Sequence, residues 1–327
     1  MKNKILIVII IFLFVGIIVV KYNNFKLTRP QPVVLSENDK AQIKGIQSDF
    51  KKIELPEIKN IEIVKTPTKI KDSNEPDVYA KSYILTERDS NYVLAEKDSH
   101  ERMPIASTTK IMTAVIALEN YKLDDVISIS SNAAAQIGSD VYLQSNEQMT
   151  VKNVLYALIV RSGNDAAMAL AEHMEGGYEV FIKKMNEKAT LLGMNDTEYK
   201  DPAGLDDTGY STAADLAIVT SYALNNNVFR ELIKTKEITI TSIDNITSHS
   251  LVTSNRLIDG NELFYYPLAI GVKTGYTPEA GHCLVSAAEN NGFNLIGVVL
   301  NTSESTNDAS AKESKKLLEW GYNNFEF

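Results

Sequence analysis

The chain has 327 residues, of which 44% are apolar and 23% charged, enough for one large folded domain with additional segments and outside the range of disordered chains. The formal net charge of −9, with no basic cluster in the folded part, argues against nucleic acid as a partner. One cysteine, Cys283, and four scattered histidines leave no internal disulfide and no zinc-type ligand spacing, so neither a metal nor a cofactor is expected.

The chain opens with "MKNK" and an unbroken apolar run over residues 5–20. The run is near the lower length limit for a spanning helix and lacks an Ala-x-Ala cleavage site, which favours an uncleaved signal-anchor over 1–22 rather than a signal peptide. Residues 23–77 mix both charge signs with prolines and few aromatics, the composition of an extended stalk. From residue 78 the pattern is that of a folded domain reaching to 327. "AKSYILTERDSNYVLAEKDS" predicts two strands about a turn at "RDSN", and "STTKIMTAVIALENY" a helix with Ser107 at its start. "DVISIS" reads as a short strand. "TVKNVLYALIV" and "NDAAMALAEHM" read as helices broken at "RSGN", with Thr150 and either Asn164 or Asp165 as N-caps. "YEVFIKKMNEKATLLG" is a helix stopped by Gly193, "DPAGLDDTG" a loop, and "STAADLAIVTSYALNN" a helix capped by Ser211 or Thr212. "LAIGVKTGYT" predicts a strand, "HCLVSAAENNGFNLIGVVLNT" a hairpin, and "KESKKLLEWGYNNF" the last helix. Strands at both ends with helices between imply an α/β (α+β) domain: one antiparallel sheet built from both chain ends, flanked by helices, with an inserted helical lobe.

Three short patterns carry chemistry. Ser107 and Lys110 stand at i and i+3, sharing a helix face, so a hydroxyl and an amine come within hydrogen-bond reach. A serine becomes a nucleophile when a base takes its proton, and a lysine serves once apolar surroundings or a nearby cation lower its pKa. A Ser-x-x-Lys match arises about once by chance in such a chain, and Ser48–Lys51 is another. Ser162 and Asn164 in "RSGNDAA" can offer a hydroxyl and an amide from a helix–helix turn, a weak signal that Ser130–Asn132 and Ser305–Asn307 also match. Lys273, Thr274 and Gly275 end an apolar strand with a cation, a hydroxyl and a missing side chain beside a substrate path, suiting a carboxylate. Their order and contexts together form the set of penicillin-binding proteins and class A β-lactamases.

Four blocks, "PIASTTKIMTA", "VRSGNDAAMALAEH", "LGMNDTEYKDPAGLDDTGYSTAADLA" and "IGVKTGYTPEAGHCLVSAA", resemble the low-molecular-mass penicillin-binding proteins, the serine-type D-alanyl-D-alanine carboxypeptidases. The resemblance implies the penicillin-binding/β-lactamase-like fold from residue 78 onward. It implies that Ser107 attacks the carbonyl between the two D-alanines of a peptidoglycan stem peptide and that Lys110 takes its proton. Ser162 and Lys273 would relay a proton to the leaving amine, Lys273 and Thr274 hold the terminal carboxylate, and Asn164 bind the acyl side. Backbone N–H groups of Ser107 and Tyr276 would form the oxyanion hole, and β-lactams would acylate Ser107. It places the domain outside the cytoplasm, anchored to the cell membrane through residues 5–20, or secreted if the N-terminus is cleaved. Some members carry an arginine after the last strand; here that stretch is "NTSESTNDASA", which keeps DD-endopeptidase activity as an alternative. A β-lactamase would need a Glu-x-x-Leu-Asn loop between Ser162 and Lys273; none is present, and Glu198 has a different context. A non-catalytic binder of peptidoglycan or β-lactams would not need Ser107, Lys110 and Lys273 together. His282 and Cys283 read as packing residues, Asp201, Pro202 and Gly204 as loop formers, and Asp215 as a first-turn carboxylate.

Overall fold

The computed structural model describes residues 66–70, 74–302, 306 and 308–326. The apolar run at 5–20, most of the stalk, and the Ser48–Lys51 pair lie outside the described residues. Among the described residues, no helix is long and apolar enough to cross a membrane.

In chain order the elements are β1 (Thr68–Lys69), β2 (Ala80–Glu87), β3 (Val93–Lys97), a 3-10 turn (Ala106–Thr109), α1 (Lys110–Asn120), β4 (Val126–Ser128), α2 (Ser131–Ala134), β5 (Gln148–Thr150), α3 (Val151–Val160) and α4 (Asn164–Glu172). They continue with α5 (Tyr178–Leu192), α6 (Ala213–Ala223), α7 (Asn227–Lys234), β6 (Glu237–Thr241), β7 (Ser248–Val252), β8 (Ala269–Thr277), β9 (Gly281–Asn290), β10 (Phe293–Thr302), α8 (Ala309–Asn324) and β11 (Phe325–Glu326). The main sheet is antiparallel in the order β3-β2-β10-β9-β8, so the first long strand pairs directly with the last. β1 pairs with β11, so the folded unit reaches back before residue 78.

Local chemistry explains the boundaries. Thr150 accepts the Asn153 N–H at 3.2 Å and Thr212 the Asp215 N–H at 3.0 Å, capping α3 and α6. Gly193 ends α5 in the left-handed conformation. At α4 the cap position falls on Gly163, and Asn164 is the first helical residue with its side chain committed elsewhere; this corrects the expectation that Asn164 or Asp165 caps the helix. The β9–β10 turn uses Asn291 and Gly292, both with positive φ, as a tight hairpin requires. The hairpin β6–β7 and helix α7 were not anticipated from sequence, although "EITIT" alternates in the manner of a strand.

β10 shows how the layers are fixed. Phe293, Leu295 and Val299 join the cluster containing Leu317 and Leu318 of α8, whereas Ile296, Val298 and Leu300 join the cluster under the helical lobe. A period of two therefore buries both faces of the strand. In the lobe α1 is buried nearly all round, from Lys110 to Ala117, so its first residue sits inside core.

Candidate active site

Of the residues singled out from sequence, Ser107, Ser162, Thr274, Gly275 and Tyr276 line one cleft of about 460 Å³, and Lys110, Asn164 and Lys273 lie buried, with Lys110 bonded to Ser107 and Lys273 to Ser162. Ser107 sits in the 3-10 turn directly before α1, and Lys110 is the first residue of that helix. Two residues here hold the left-handed backbone region without being glycine: Ala106 (φ 46°), just before Ser107, and Ser162 (φ 67°). Such conformations persist where surrounding structure over-determines them; Ala106 aims the hydroxyl of the next residue and Ser162 its own.

The Lys110 amine is fully buried and lies 2.7 Å from Asn164 Oδ1, 2.8 Å from the Ala203 carbonyl oxygen and 2.8 Å from Ser107 Oγ. The first two neighbours only accept. A neutral amine gives them its two N–H bonds, and its lone pair then faces the Ser107 hydroxyl. Burial, then the charge of Lys273, lowers the Lys110 pKa well below the ordinary lysine value, which makes the neutral amine accessible. Asn164 is itself held: its N–H donates to Ser139 O at 2.7 Å and its Nδ2 to Ile137 O at 2.6 Å. Asp165 locks the same loop by accepting the N–H groups of Val141 and Leu143.

Across the cleft, Lys273 of β8 donates to Ser162 Oγ and to the Thr274 carbonyl, both at 2.9 Å. Burial brings its pKa down to about 7. The Thr274 hydroxyl lies 2.8 Å from Ser254 Oγ. Gly275 lets β8 approach the turn that carries Ser107, since a Cβ there would stand 3.0 Å from Ile105 O and 3.1 Å from Ser107 N. Tyr276, the next residue, lines the same cleft as Ser107.

Some functional residues were not legible in advance. The "DPAGLDD" loop does more than turn: Ala203 O receives Lys110, and Asp201 accepts the Ala203 and Gly204 N–H groups at 2.6 Å. His282 stacks on Tyr276 with ring centroids 4.4 Å apart and lines the cleft, a correction to its reading as packing. Cys283 is buried, and Asp215 lies in the first turn of α6, accepting from Asp196 N and Thr197 Oγ1. Ser254, Arg161 and Arg256 also line the cleft. Glu198 pairs with Lys200 and does not line it.

Two expectations follow. Gly204 has φ +77°, and a Cβ there would meet the Ala106 carbonyl oxygen at 1.9 Å, a backbone atom beside Ser107. Gly204→Ala is expected to cost about 2–4 kcal/mol in urea unfolding and to slow acylation. Lys273 titrates at about 7 in the fold against 10.5 for an ordinary lysine. Between those values the unfolded chain binds more protons, so this group makes stability rise with pH across the window, and that stability is lost as pH falls through it. Lys273→Met should flatten the rise of Tm between about pH 7 and pH 10, read by calorimetry.

A family model described as D-alanyl-D-alanine carboxypeptidase (peptidase S11) matches residues 69–304. The chain is 39% identical over 256 residues to D-alanyl-D-alanine carboxypeptidase DacF of Bacillus subtilis, covering 76% of this chain and 63% of that protein. It is 35% identical over 266 residues to DacC of Escherichia coli, covering 77% and 63%. The chain thus spans less than two thirds of the length of these relatives. Among solved structures, the Streptomyces K15 DD-transpeptidase superposes with a TM-score of 0.71 at 32% identity, covering 76% of this chain and 99% of that one. A D-alanyl-D-alanine carboxypeptidase of Mycobacterium tuberculosis H37Rv gives 0.71 at 31% identity, covering 78% and 96%. Fold, cleft and sequence agree: this chain belongs to the D-alanyl-D-alanine carboxypeptidase family, peptidase S11.

Proposed function

We propose that this protein is a serine-type DD-carboxypeptidase that removes the terminal D-alanine from peptidoglycan stem peptides through an acyl-enzyme on Ser107. The observation that carries the reading is the Lys110 amine, tied to two acceptors and aimed at Ser107 Oγ. Lys110 takes the hydroxyl proton as Ser107 attacks the carbonyl between the two D-alanines. The backbone N–H groups of Ser107 and Tyr276 receive the oxyanion, in the gap that Gly275 keeps narrow. The hydrogen-bonded Ser162–Lys273 pair passes a proton to the leaving amine, and Thr274 with Lys273 receives the terminal carboxylate. The acyl-side role expected for Asn164 gives way to a positioning one, because its amide is buried and spent on Lys110 and the Ile137 carbonyl. Water then releases the shortened peptide. A β-lactam presents the same carbonyl and carboxylate and acylates Ser107. Among the described residues Glu198 is paired to Lys200 outside the cleft and Glu262, which lines it, faces Arg256, so neither is free to activate water and the penicilloyl adduct persists. The apolar run at 5–20 anchors the chain in the cell membrane, with the catalytic domain on the extracytoplasmic side.

The test is incubation of the full-length protein with a pentapeptide ending in D-Ala-D-Ala and with a cross-linked dimer, read by mass spectrometry. The expected product is the pentapeptide less one D-alanine. Cleavage of the dimer alone would assign the protein as an endopeptidase instead. The name of the Streptomyces neighbour supports a second reading, partition of the acyl-enzyme to an amine; adding D-amino acids or glycine to the assay reveals it as an exchanged terminus.

A further inference from the structure

We propose that Arg161 is the specificity-determining residue that receives the substrate's terminal carboxylate, an inference that rests on the carboxypeptidase reading and adds to it a residue the sequence did not single out. Arg161 follows the last residue of α3 and directly precedes Ser162, and it lines the cleft. Its backbone is fixed against the opposite wall, because Ser254 N–H donates to Val160 O at 3.3 Å and Ser254 Oγ meets the Thr274 hydroxyl at 2.8 Å. The leaving amine takes its proton from the Ser162–Lys273 pair. In the leaving D-alanine the carboxylate and the amine share one carbon, so a carboxylate two bonds from that amine falls between Ser162 and Thr274. The guanidinium one residue from Ser162 is placed to meet it with paired N–H donors.

The cleft holds a second arginine, and charge accounting separates the two. Arg256 is clamped by Asp308 and by Glu262, with Nη1 3.5 Å from the Glu262 carboxylate. A substrate carboxylate brought there would meet two like charges. Asp308 belongs to the stretch after the last strand that has no arginine, so that region brings an acid to the cleft's edge where a cation was sought. Among the described residues no carboxylate makes a salt bridge with Arg161. Asp140 senses its charge at longer range, and Arg161 is exposed to incoming ligand.

The experiment compares kcat/KM of the full-length protein for a peptide ending in D-Ala-D-Ala with that for the same peptide ending as an amide. Arg161→Gln should lower kcat/KM for the acid by about tenfold, chiefly through KM, the size of one charge-assisted hydrogen bond, and change it by less than about twofold for the amide. Arg161→Lys should restore part of the loss. Equal losses on both peptides, or none on either, overturn the proposal. So does loss of the acid preference in Arg256→Gln with its retention in Arg161→Gln. Acylation by benzylpenicillin against its methyl ester gives the same comparison without a peptide. If no D-alanine is released but the penicillin pair responds to Arg161→Gln as expected, the carboxylate site stands and the carboxypeptidase reading falls. Release of D-alanine with no response in either pair does the reverse.

Discussion

Ser107→Ala is expected to lower D-alanine release by about 10⁴-fold or more and to leave the protein unlabelled by fluorescent penicillin, with a Tm near that of the unaltered chain. The size follows from the chemistry. Without the hydroxyl there is no acyl-enzyme, and the remaining cleft offers only binding and oxyanion stabilisation. Stability is little affected because Ser107 is only partly buried and contributes a single side-chain contact, to Lys110. The Lys110 amine keeps both of its acceptors, Asn164 Oδ1 and Ala203 O. Non-covalent binding of penicillin, read by competition, should survive in this variant. A covalent label on Ser107→Ala would place the nucleophile elsewhere.

Lys110→Gln should lower the acylation rate by about 10³-fold, the middle of the range for a general base, with little change in the affinity of the pre-covalent complex. The amide offers N–H donors toward Asn164 and Ala203 but no basic lone pair, and the Tm of the variant reads the packing cost of its shorter reach separately from lost proton abstraction. The pH profile adds a sharper test. In the unaltered chain acylation falls as pH drops through the lowered pKa of Lys110, because a protonated amine has no lone pair for the Ser107 proton. Burial is the main cause of that low pKa and the Lys273 cation the second. Lys273→Met removes the like charge, raises the proton affinity of Lys110, and should move the acidic limb to higher pH. Stopped-flow acylation between about pH 5 and pH 9 reads both effects. A limb that shifts to lower pH in Lys273→Met would contradict the assignment of Lys110 as the base.

Much of this organisation could be read from local sequence. Strand periodicity and the Asn291–Gly292 turn placed β9 and β10, and helical spacing placed α3, α4 and α6. The Ser107, Ser162 and Lys273 motifs were legible because residue type and spacing carry their chemistry. What stayed hidden depends on long-range contact. Lys110 is oriented by a backbone carbonyl 93 residues away, and a carbonyl leaves no trace in residue identity. Arg256 meets Asp308 across 52 positions through chain topology alone. His282 looked like a strand packing residue because alternation does not tell a core face from one open to a cleft, and its partner Tyr276 lies on the neighbouring strand. The "EITIT" and "SHSLV" strands did carry a signal in their alternation about "IDNI", but their pairing lies outside the main sheet.

Peptide mapping of the penicillin-treated full-length protein locates the covalent nucleophile. Digestion followed by tandem mass spectrometry should find one penicilloyl group per chain, on the peptide containing "PIASTTK" and at Ser107. An adduct on Ser162 or any other residue, or no adduct at saturating penicillin, would contradict Ser107 in that role.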